Sequence, residues 1–462
     1  MPSGPIKNGC LTLNTGTLFR RILVSAVILA LVAPAVYRGY RIFRADRIVR
    51  TEQTFESYSR ALQYDPGNAT LWWRRGRLRH YSVKSADLSQ AISDYRVALS
   101  LNPRLSRAWL DLADCYEQTQ RYEKAEAALN NALLTHTYSP LARWQAGNFF
   151  LRRGNLPRMY DCFKMAIEYD PEKLGIATET AWKADTDHAA ILQKLVPDKL
   201  SENLRYFDFL LSRDELDLAR VAWERALRND IPTEVEFKAS SSFRYIDRLL
   251  VKNRVEEAER VWDEALQKAG SGLRDTRIIT QEPRAGASGP LNLVWNGSFE
   301  NEILQGGFDW RFPDMQDVQF ASDLNNCMQG LKCLRVTFGG TNIRFSHLSQ
   351  IIPIPAPGNY ELEFCFRTEG LTTDKTPYLS IQGYPEASGA SLRTSQFPEN
   401  AGWGRKSYPF LVKENCKAIQ LILQRDPSSK FDNLIKGSLW LDAISIHADP
   451  RPATAADAAA RH

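Results

Sequence analysis

"AWLDLADCYEQTQRYEKAEAALNNAL", residues 108–133, decides how more than half of this chain is read. Trp109, Leu112, Ala113, Tyr116, Ala125, Leu129 and Ala132 fall on one periodic face. A recurrence near 3.6 residues predicts amphipathic helix. The small residues let two helices approach, and the aromatic rings fill the gap between them. The pattern returns in "RWQAGNFFLRRGNLPRMYDCFKMAIEYDP" (143–171), carried by Gly147, Phe150, Gly154, Phe163, Ala166 and Pro171. Segments of the second-helix type end at Pro66, Pro103, Pro140, Pro171, Pro232 and Gly270. A proline there stops the helix, because it lacks the N–H and clashes with the preceding turn.

The pattern resembles the tetratricopeptide repeat, with its period of about 34 residues. The resemblance covers residues 52–270 and is closest in the repeats beginning near Leu105 and Ser139. Near Asn68 the stretch "HYSVKSADLS" adds a few residues between helices. Later, only Ala219, Trp223 and Ala226, then Ala258, Trp262 and Ala265, keep the phase. Residues 172–197 read as a helical spacer. Residues 40–66 supply only a second helix, continuous with the segment before it. The resemblance implies an all-α solenoid over 41–270 whose first helices line a groove for a protein partner. Carried onto this chain, the groove positions are Thr70, Trp73, Arg77 and His80; Arg107, Leu110, Asp114 and Glu117; and Trp144, Asn148 and Leu151. The alternatives are packing of Trp73 and Trp144 on a neighbouring helix, solvated Arg77 and Arg107, and a surface His80.

Ahead of the array, "RRILVSAVILALVAPAVYR" (20–38) holds a charge-free run from Ile22 to Tyr37. Sixteen helical residues rise about 24 Å, against a hydrocarbon core of about 30 Å. Arg21 and Arg38 can snorkel outward, and Tyr37 and Tyr40 suit an interface. The reading is a single-pass transmembrane anchor at 18–40, after an N-terminal segment at 1–17. A signal peptide cut at Ala33-Pro34-Ala35 and a buried core helix are the alternatives. Five arginines (38, 41, 44, 47 and 50) follow the run, and Lys7, Arg20 and Arg21 precede it. The positive-inside rule would put the body in the cytoplasm. Cys327 and Cys333, in "NNCMQGLKCLRV" (325–336), are spaced to pair across a short turn. A disulfide there would imply an oxidising compartment; two unpaired thiols are the alternative. The expectation taken forward is an extracytoplasmic body on a bacterial inner membrane.

"GSGLRDTRIITQEPRAGASGP" (270–290) lacks an apolar period and reads as a linker. Strand-like alternation follows. In "SQIIPIPAPGNYELEFCFRTE" (349–369), Tyr360, Leu362, Phe364 and Phe366 share one face, and Glu361, Glu363, Cys365 and Arg367 the wetter one. About eight strands and no helix favour a two-sheet sandwich or jelly roll. The N-G-x-F-E of "NLVWNGSFENE" (292–302), Gly307–Trp310, Gln350–Phe364 and the closing Leu441–Ile446 look like the jelly-roll carbohydrate-binding modules, over residues 291–447. On that resemblance Asn296–Glu300 opens the entry strand, Phe299 points into the core and Glu300 meets Asp442 on the closing strand. The family often holds a structural calcium there. Two carboxylates fall short of the six to eight oxygens calcium takes, so carboxylates capped by backbone N–H groups are the alternative. Sugar binding needs flat aromatic faces beside planar polar groups. The candidates are Trp310, Arg311, Phe312 and Tyr384, with Tyr378, Trp403, Gln382 and His347 in reserve. For Trp310 and Trp403, packing is the alternative.

Net charge is +5 over 462 residues, with 24% charged and 44% hydrophobic. That is too mild a charge for a nucleic-acid partner. Seven cysteines without C-x-x-C spacing give no zinc site. No H-E-x-x-H, G-x-S-x-G or phosphate-cradling loop is present, so neither an enzyme nor a required cofactor is expected. The tail, 448–462, reads as disordered. The function expected is a membrane-anchored adaptor. Its repeats would bind a protein and its sandwich a polysaccharide, in exopolysaccharide assembly or export. A pure scaffold without sugar binding and an enzyme acting on polysaccharide are the alternatives.

Overall fold

The computed structural model describes residues 17–82, 86–229, 237–270 and 292–449. The linker at 271–290, the segment before Thr17 and the tail after Asp449 lie outside the described residues. Two compact units are present, Met1–Pro197 and Asp198–His462.

The first unit begins with α1 (Leu18–Thr51), one helix of 34 residues. It rises about 51 Å, so it is long enough to cross a bilayer and continue beyond it. Apolar and aromatic side chains from Leu18 to Phe43 are exposed along it. Its last turns then change role. Ala45 and Val49 are buried against Tyr58, Ala61, Leu62 and Leu71. The chain turns at Glu52–Thr54, and α2 (Phe55–Tyr64) starts on a reciprocal cap. The Thr54 side chain accepts from the Ser57 N–H at 3.2 Å, and the Thr54 N–H donates to the Ser57 hydroxyl at 3.0 Å. Residues 40–66 are therefore a helix pair, not the single second helix expected. The apolar span and the first helix of the array are one continuous rod.

Three full pairs follow: α3 (Ala69–His80) with α4 (Leu88–Leu101), α5 (Ser106–Gln118) with α6 (Tyr122–Thr135), and α7 (Pro140–Arg152) with α8 (Leu156–Tyr169). The small-residue positions do what their placement implied. A Cβ on Gly147 would lie 2.4 Å from the Phe163 ring, and one on Gly76 2.8 Å from the Tyr95 ring. The α3–α4 pair also carries a buried charge cluster. The Asp94 side chain is 3% exposed and meets Arg75 at 2.6 Å and Arg79 at 3.0 Å. The spacer is helical, as expected: a 3-10 turn (Pro171–Lys173), α9 (Leu174–Ala184) and α10 (His188–Leu195).

The second unit opens with α11 (Leu200–Ser212), α12 (Leu216–Arg228), α13 (Phe243–Val251) and α14 (Val255–Ala269). Trp223 and Trp262 are buried at the positions that kept the repeat phase. Nine strands follow among the described residues: β1 (Val318–Asp323), β2 (Cys333–Thr341), β3 (Phe345–Pro353), β4 (Gly358–Glu369), β5 (Tyr378–Tyr384), β6 (Ser391–Arg393), β7 (Ala401–Val412), β8 (Ala418–Arg425) and β9 (Ile435–Ala448). They form two antiparallel sheets, β1-β2-β9-β4-β7 and β3-β8-β5-β6. Tyr360, Leu362, Phe364 and Phe366 enter the core between them, as the alternation predicts. Cys365 departs from the wetter face it was assigned to and is 1% exposed. Its β9 partner in register is Asp442, which accepts backbone bonds from Met328 and Gln329 in the β1–β2 loop. That loop covers this part of the outer sheet face.

Residues 292–300 form a turn instead of an entry strand. The turn seats on an irregularity in β9, where Ala443 has φ 50°. The Ile444 N–H donates to the Gly297 carbonyl at 2.8 Å, and a Cβ on Gly297 would meet the Ile444 carbonyl oxygen at 2.0 Å. Only glycine fits against that backbone. Asn296 and Phe299 take φ of 48° and 57°, and Phe299 reaches the core as expected.

Candidate functional site

The face built by the first helices α3, α5 and α7 brings several of the expected groove residues together. Trp73 is 7% exposed, and its indole N–H donates to Asp111 Oδ2 at 2.7 Å. Arg77 approaches the same oxygen at 3.5 Å, and the Tyr81 hydroxyl donates to Asp111 Oδ1 at 3.1 Å. The His80 side chain is 1% exposed. Its Nε2 lies 3.3 Å from Asp114 Oδ2 and 3.0 Å from the Gln118 amide, and its Nδ1 lies 3.2 Å from the Tyr95 hydroxyl. One helical pair further on, Arg152 grips Glu117 with two bonds of 2.7 Å. Trp144 stacks on Phe163 at 4.5 Å, and the Asn148 amide donates to the Trp144 carbonyl at 2.8 Å.

Trp73 and His80 are thus ties between neighbouring first helices, below the surface, and His80 is not the surface histidine weighed for it. Arg77 and Arg107 stay exposed. Burial raises the Asp111 carboxyl above its usual range, while Trp73, Arg77 and Tyr81 act against that shift. The hydrogen bond from His80 holds Asp114 below its usual value. Asp111 was missed by the sequence reading. It lies three residues before Asp114, on the same face of α5, and that spacing was the available signal.

In the second unit the expected sugar platform is a seam between helices and sandwich. Trp310 is 1% exposed, and its indole donates to the Asn296 carbonyl at 3.1 Å. A closed ring of this kind offers no face for a sugar, so Trp310 is corrected to a core residue. Arg311 donates to Asp247 on α13 at 2.6 Å and to the Gly307 carbonyl at 2.7 Å. Phe312 stacks on Phe320 at 4.4 Å. Tyr384 is half-buried and feels the charges of Asp247 and Arg311. Around them Trp262 meets Trp295 at 5.4 Å and Phe308 at 6.0 Å, both edge to face. A Cβ on Gly306 or Gly307 would lie 2.1 Å from Phe243 or Trp262. The glycines let the sandwich close on the last helix pair.

The carboxylates carried over as a calcium site serve the β1–β2 loop. Glu300 Oε1 accepts from the Leu331 and Lys332 N–H groups at 2.7 and 3.0 Å. Asp442 Oδ2 accepts from Met328 and Gln329, both at 2.9 Å, and its Oδ1 from Ala443 at 2.7 Å. These carboxylate oxygens accept backbone N–H groups, the arrangement given above as the alternative to calcium. Among the described residues no three His, Cys, Asp or Glu side chains converge as metal ligands. Cys327 and Cys333 stand as free thiols, not the expected disulfide. Both sulfurs turn to the Asp323 carbonyl, at 3.1 and 3.9 Å. Asn326 in the same loop accepts from Arg367 at 3.0 Å and, through its carbonyl, from the Trp403 indole at 3.1 Å. Trp403 is thereby tied to that loop through its N–H while its ring stays half-buried.

Beside Trp310, burial pushes the Asp309 carboxyl up to about 7, against the pull of the Leu304 and Trp310 N–H groups. The unfolded value is near 3.9, so the folded state holds this proton more tightly. Its contribution to stability is full below about pH 4 and is lost as pH rises through about 7. Urea unfolding of the sandwich is expected at lower midpoint at pH 8 than at pH 5, with a shallower fall in Asp309→Asn. An equal fall in both proteins would show that Asp309 ionises normally.

Residues 83–143 match the tetratricopeptide repeat family model. A stretch of 88 residues is 31% identical to the BBSome complex member BBS4 of Bos taurus, covering 19% of this chain and 17% of that protein. The chain thus spans less than a fifth of that relative's length. Among solved structures, MamA from Desulfovibrio magneticus RS-1 is similar over 34% of this chain and 90% of its own, at 14% identity and a TM-score of 0.28. A family 16 carbohydrate-binding module is similar over 34% of this chain and 99% of its own, at 14% identity and a TM-score of 0.25. These likenesses say nothing of ligand. The tetratricopeptide match spans α4, α5 and α6, so the polar ladder from Trp73 to Gln118 runs into the matched repeat.

Proposed function

We propose that the protein is a membrane-anchored, non-enzymatic scaffold whose repeats hold a protein partner on the face of α3, α5 and α7. The observation that carries this reading is the ladder on that face. Trp73, His80, Asp111 and Glu117 lock the first helices to one another. Arg77, Tyr81 and Arg107 stay exposed around them. A rigid surface bearing both signs of charge beside aromatic rings suits a polypeptide with apolar and polar features. α1 supplies the anchor. The test is photo-crosslinking in the native membrane from a reactive residue placed at Arg107 or Asn148, with Glu123 on α6 as control. A discrete protein adduct at the first two positions and none at the third is expected. No adduct at any of the three would sink the reading.

A second reading keeps a glycan as the ligand of the sandwich, in exopolysaccharide assembly or export. The observation that favours it is a groove of about 530 Å³ lined by Arg367, Thr368, Glu369, Asn400 and Trp403. A guanidinium, a carboxylate and an amide stand there beside an indole, the kind of set a sugar uses. Binding of the full chain to a glycan array, lost in Arg367→Ala, would support it.

A further inference from the structure

The arginines that follow the apolar run in α1 are arranged as a collar. Arg38, Arg41, Arg44, Arg47 and Arg50 recur every three residues. Each step of three turns the side chain about 60° short of a full turn and rises about 4.5 Å. The series therefore winds around the helix instead of lining one side. Directly before and within it stand the exposed rings of Tyr37, Tyr40 and Phe43, of the kind that settle at a membrane interface.

Their partners leave most of this charge unspent. Arg38 and Arg47 are exposed, and among the described residues neither side chain has a hydrogen bond or ion pair. Arg41 donates to the Gln63 carbonyl at 2.9 Å, which neutralises nothing. Arg44 lies 5.8 Å from the Tyr64 ring, and its Nε is buried without a partner. Only Arg50 is neutralised within the helix, by Asp46 at 2.7 Å. No flexible segment lets the collar drift from the span, because Ala45 and Val49 fix the same helix to α2. Four cations thus stand within about 14 Å of one another along a rod whose preceding turns are apolar and bare.

We propose that Arg38, Arg41, Arg44 and Arg47 bind the anionic headgroups of the membrane that α1 enters, which holds the first helix pair at an anionic lipid surface. The inference rests on the anchor reading above. The headgroup layer is about 5–8 Å deep on each side, so Arg38 and Arg41 fall within it. Arg44 and Arg47 reach it through long side chains and a screening length of about 8–10 Å. With only Lys7, Arg20 and Arg21 on the other flank, the same charge bias puts the repeats on the cytoplasmic side.

The full chain, purified in a non-ionic detergent, is mixed with dioleoylphosphatidylglycerol or dioleoylphosphatidylcholine. The lipid retained after gel filtration is then measured by mass spectrometry. Retention of the glycerol lipid is expected to exceed that of the choline lipid at least tenfold at about 50 mM salt, and the preference to collapse near 0.5 M salt. The quadruple variant R38Q/R41Q/R44Q/R47Q is expected to lose the preference. A charge-matched control at exposed arginines elsewhere, R104Q/R228Q/R260Q/R405Q, is expected to keep it, with the helical circular dichroism of both unchanged. Equal retention of the two lipids, or equal loss in both variants, overturns the proposal. Alkaline carbonate extraction of the wild-type membranes tests the anchor separately. A chain that resists extraction yet shows no lipid preference keeps its anchor and loses its collar. A chain that is extracted yet still prefers the anionic lipid keeps its collar as a peripheral contact.

Discussion

Trp310→Ala is expected to destabilise the sandwich by about 3–5 kcal/mol, the usual cost of deleting a fully buried aromatic side chain. Trp310 is 1% exposed, lies 5.3 Å from the Phe299 ring and ties its indole N–H to the Asn296 carbonyl at 3.1 Å. The variant removes the packing and one of the two donors to that carbonyl, which keeps the Phe299 N–H at 3.1 Å. Backbone hydrogen exchange in β4 and β9 should quicken, and the unfolding midpoint of the full chain in urea should fall. A platform for sugar would behave differently: the variant would keep its stability and lose only ligand. A midpoint within the error of wild type would show that the indole is not part of the core.

Asp94→Ala is expected to cost a similar amount, about 3–5 kcal/mol, because it strands charge that is largely shut away from water. The Asp94 side chain is 3% exposed, and its partners Arg75 and Arg79 are 16% and 23% exposed. Those guanidiniums also lie over the Trp72 and Phe55 rings, at 4.5 and 4.6 Å, so neither can swing out without losing packing. Because the cluster is buried, the loss should change little between 0.05 and 0.5 M salt. Thermal unfolding read from exchange of the α3 and α4 amides measures it. A loss under about 1 kcal/mol, or one that disappears in high salt, would mark the cluster as a surface pair.

The helical array and the alternating strands were legible because each depends on neighbours a few residues away. Gly147 beside Phe163, and the inward set of Tyr360, Leu362, Phe364 and Phe366, follow from local period alone. The first helix pair was harder to read. Its core positions, Ala45 and Val49, sit within "RIFRADRIVR" (41–50), where an arginine at every third position interrupts the apolar residues and hides the stripe. Glu300 and Asp442 were correctly placed near one another. What they hold was not legible, because their partners are backbone N–H groups of a loop, which carry no side-chain signature. Asp111 went unread for a different reason. Its partners, Trp73 and Tyr81, lie 38 and 30 residues away.

The sequence by itself determined the order of parts: an apolar run, a helical array with tetratricopeptide phase, and an antiparallel sandwich. It could do so because periodicity is a property of short windows. Only the tertiary structure decided which aromatic and charged residues face a ligand and which face the protein. Trp310 and Arg311 read as a platform in the chain. Folded, one is closed beneath Asn296 and the other is held by Asp247, 64 residues earlier. Exposure is set by contacts that are remote in sequence, and a local pattern cannot report them.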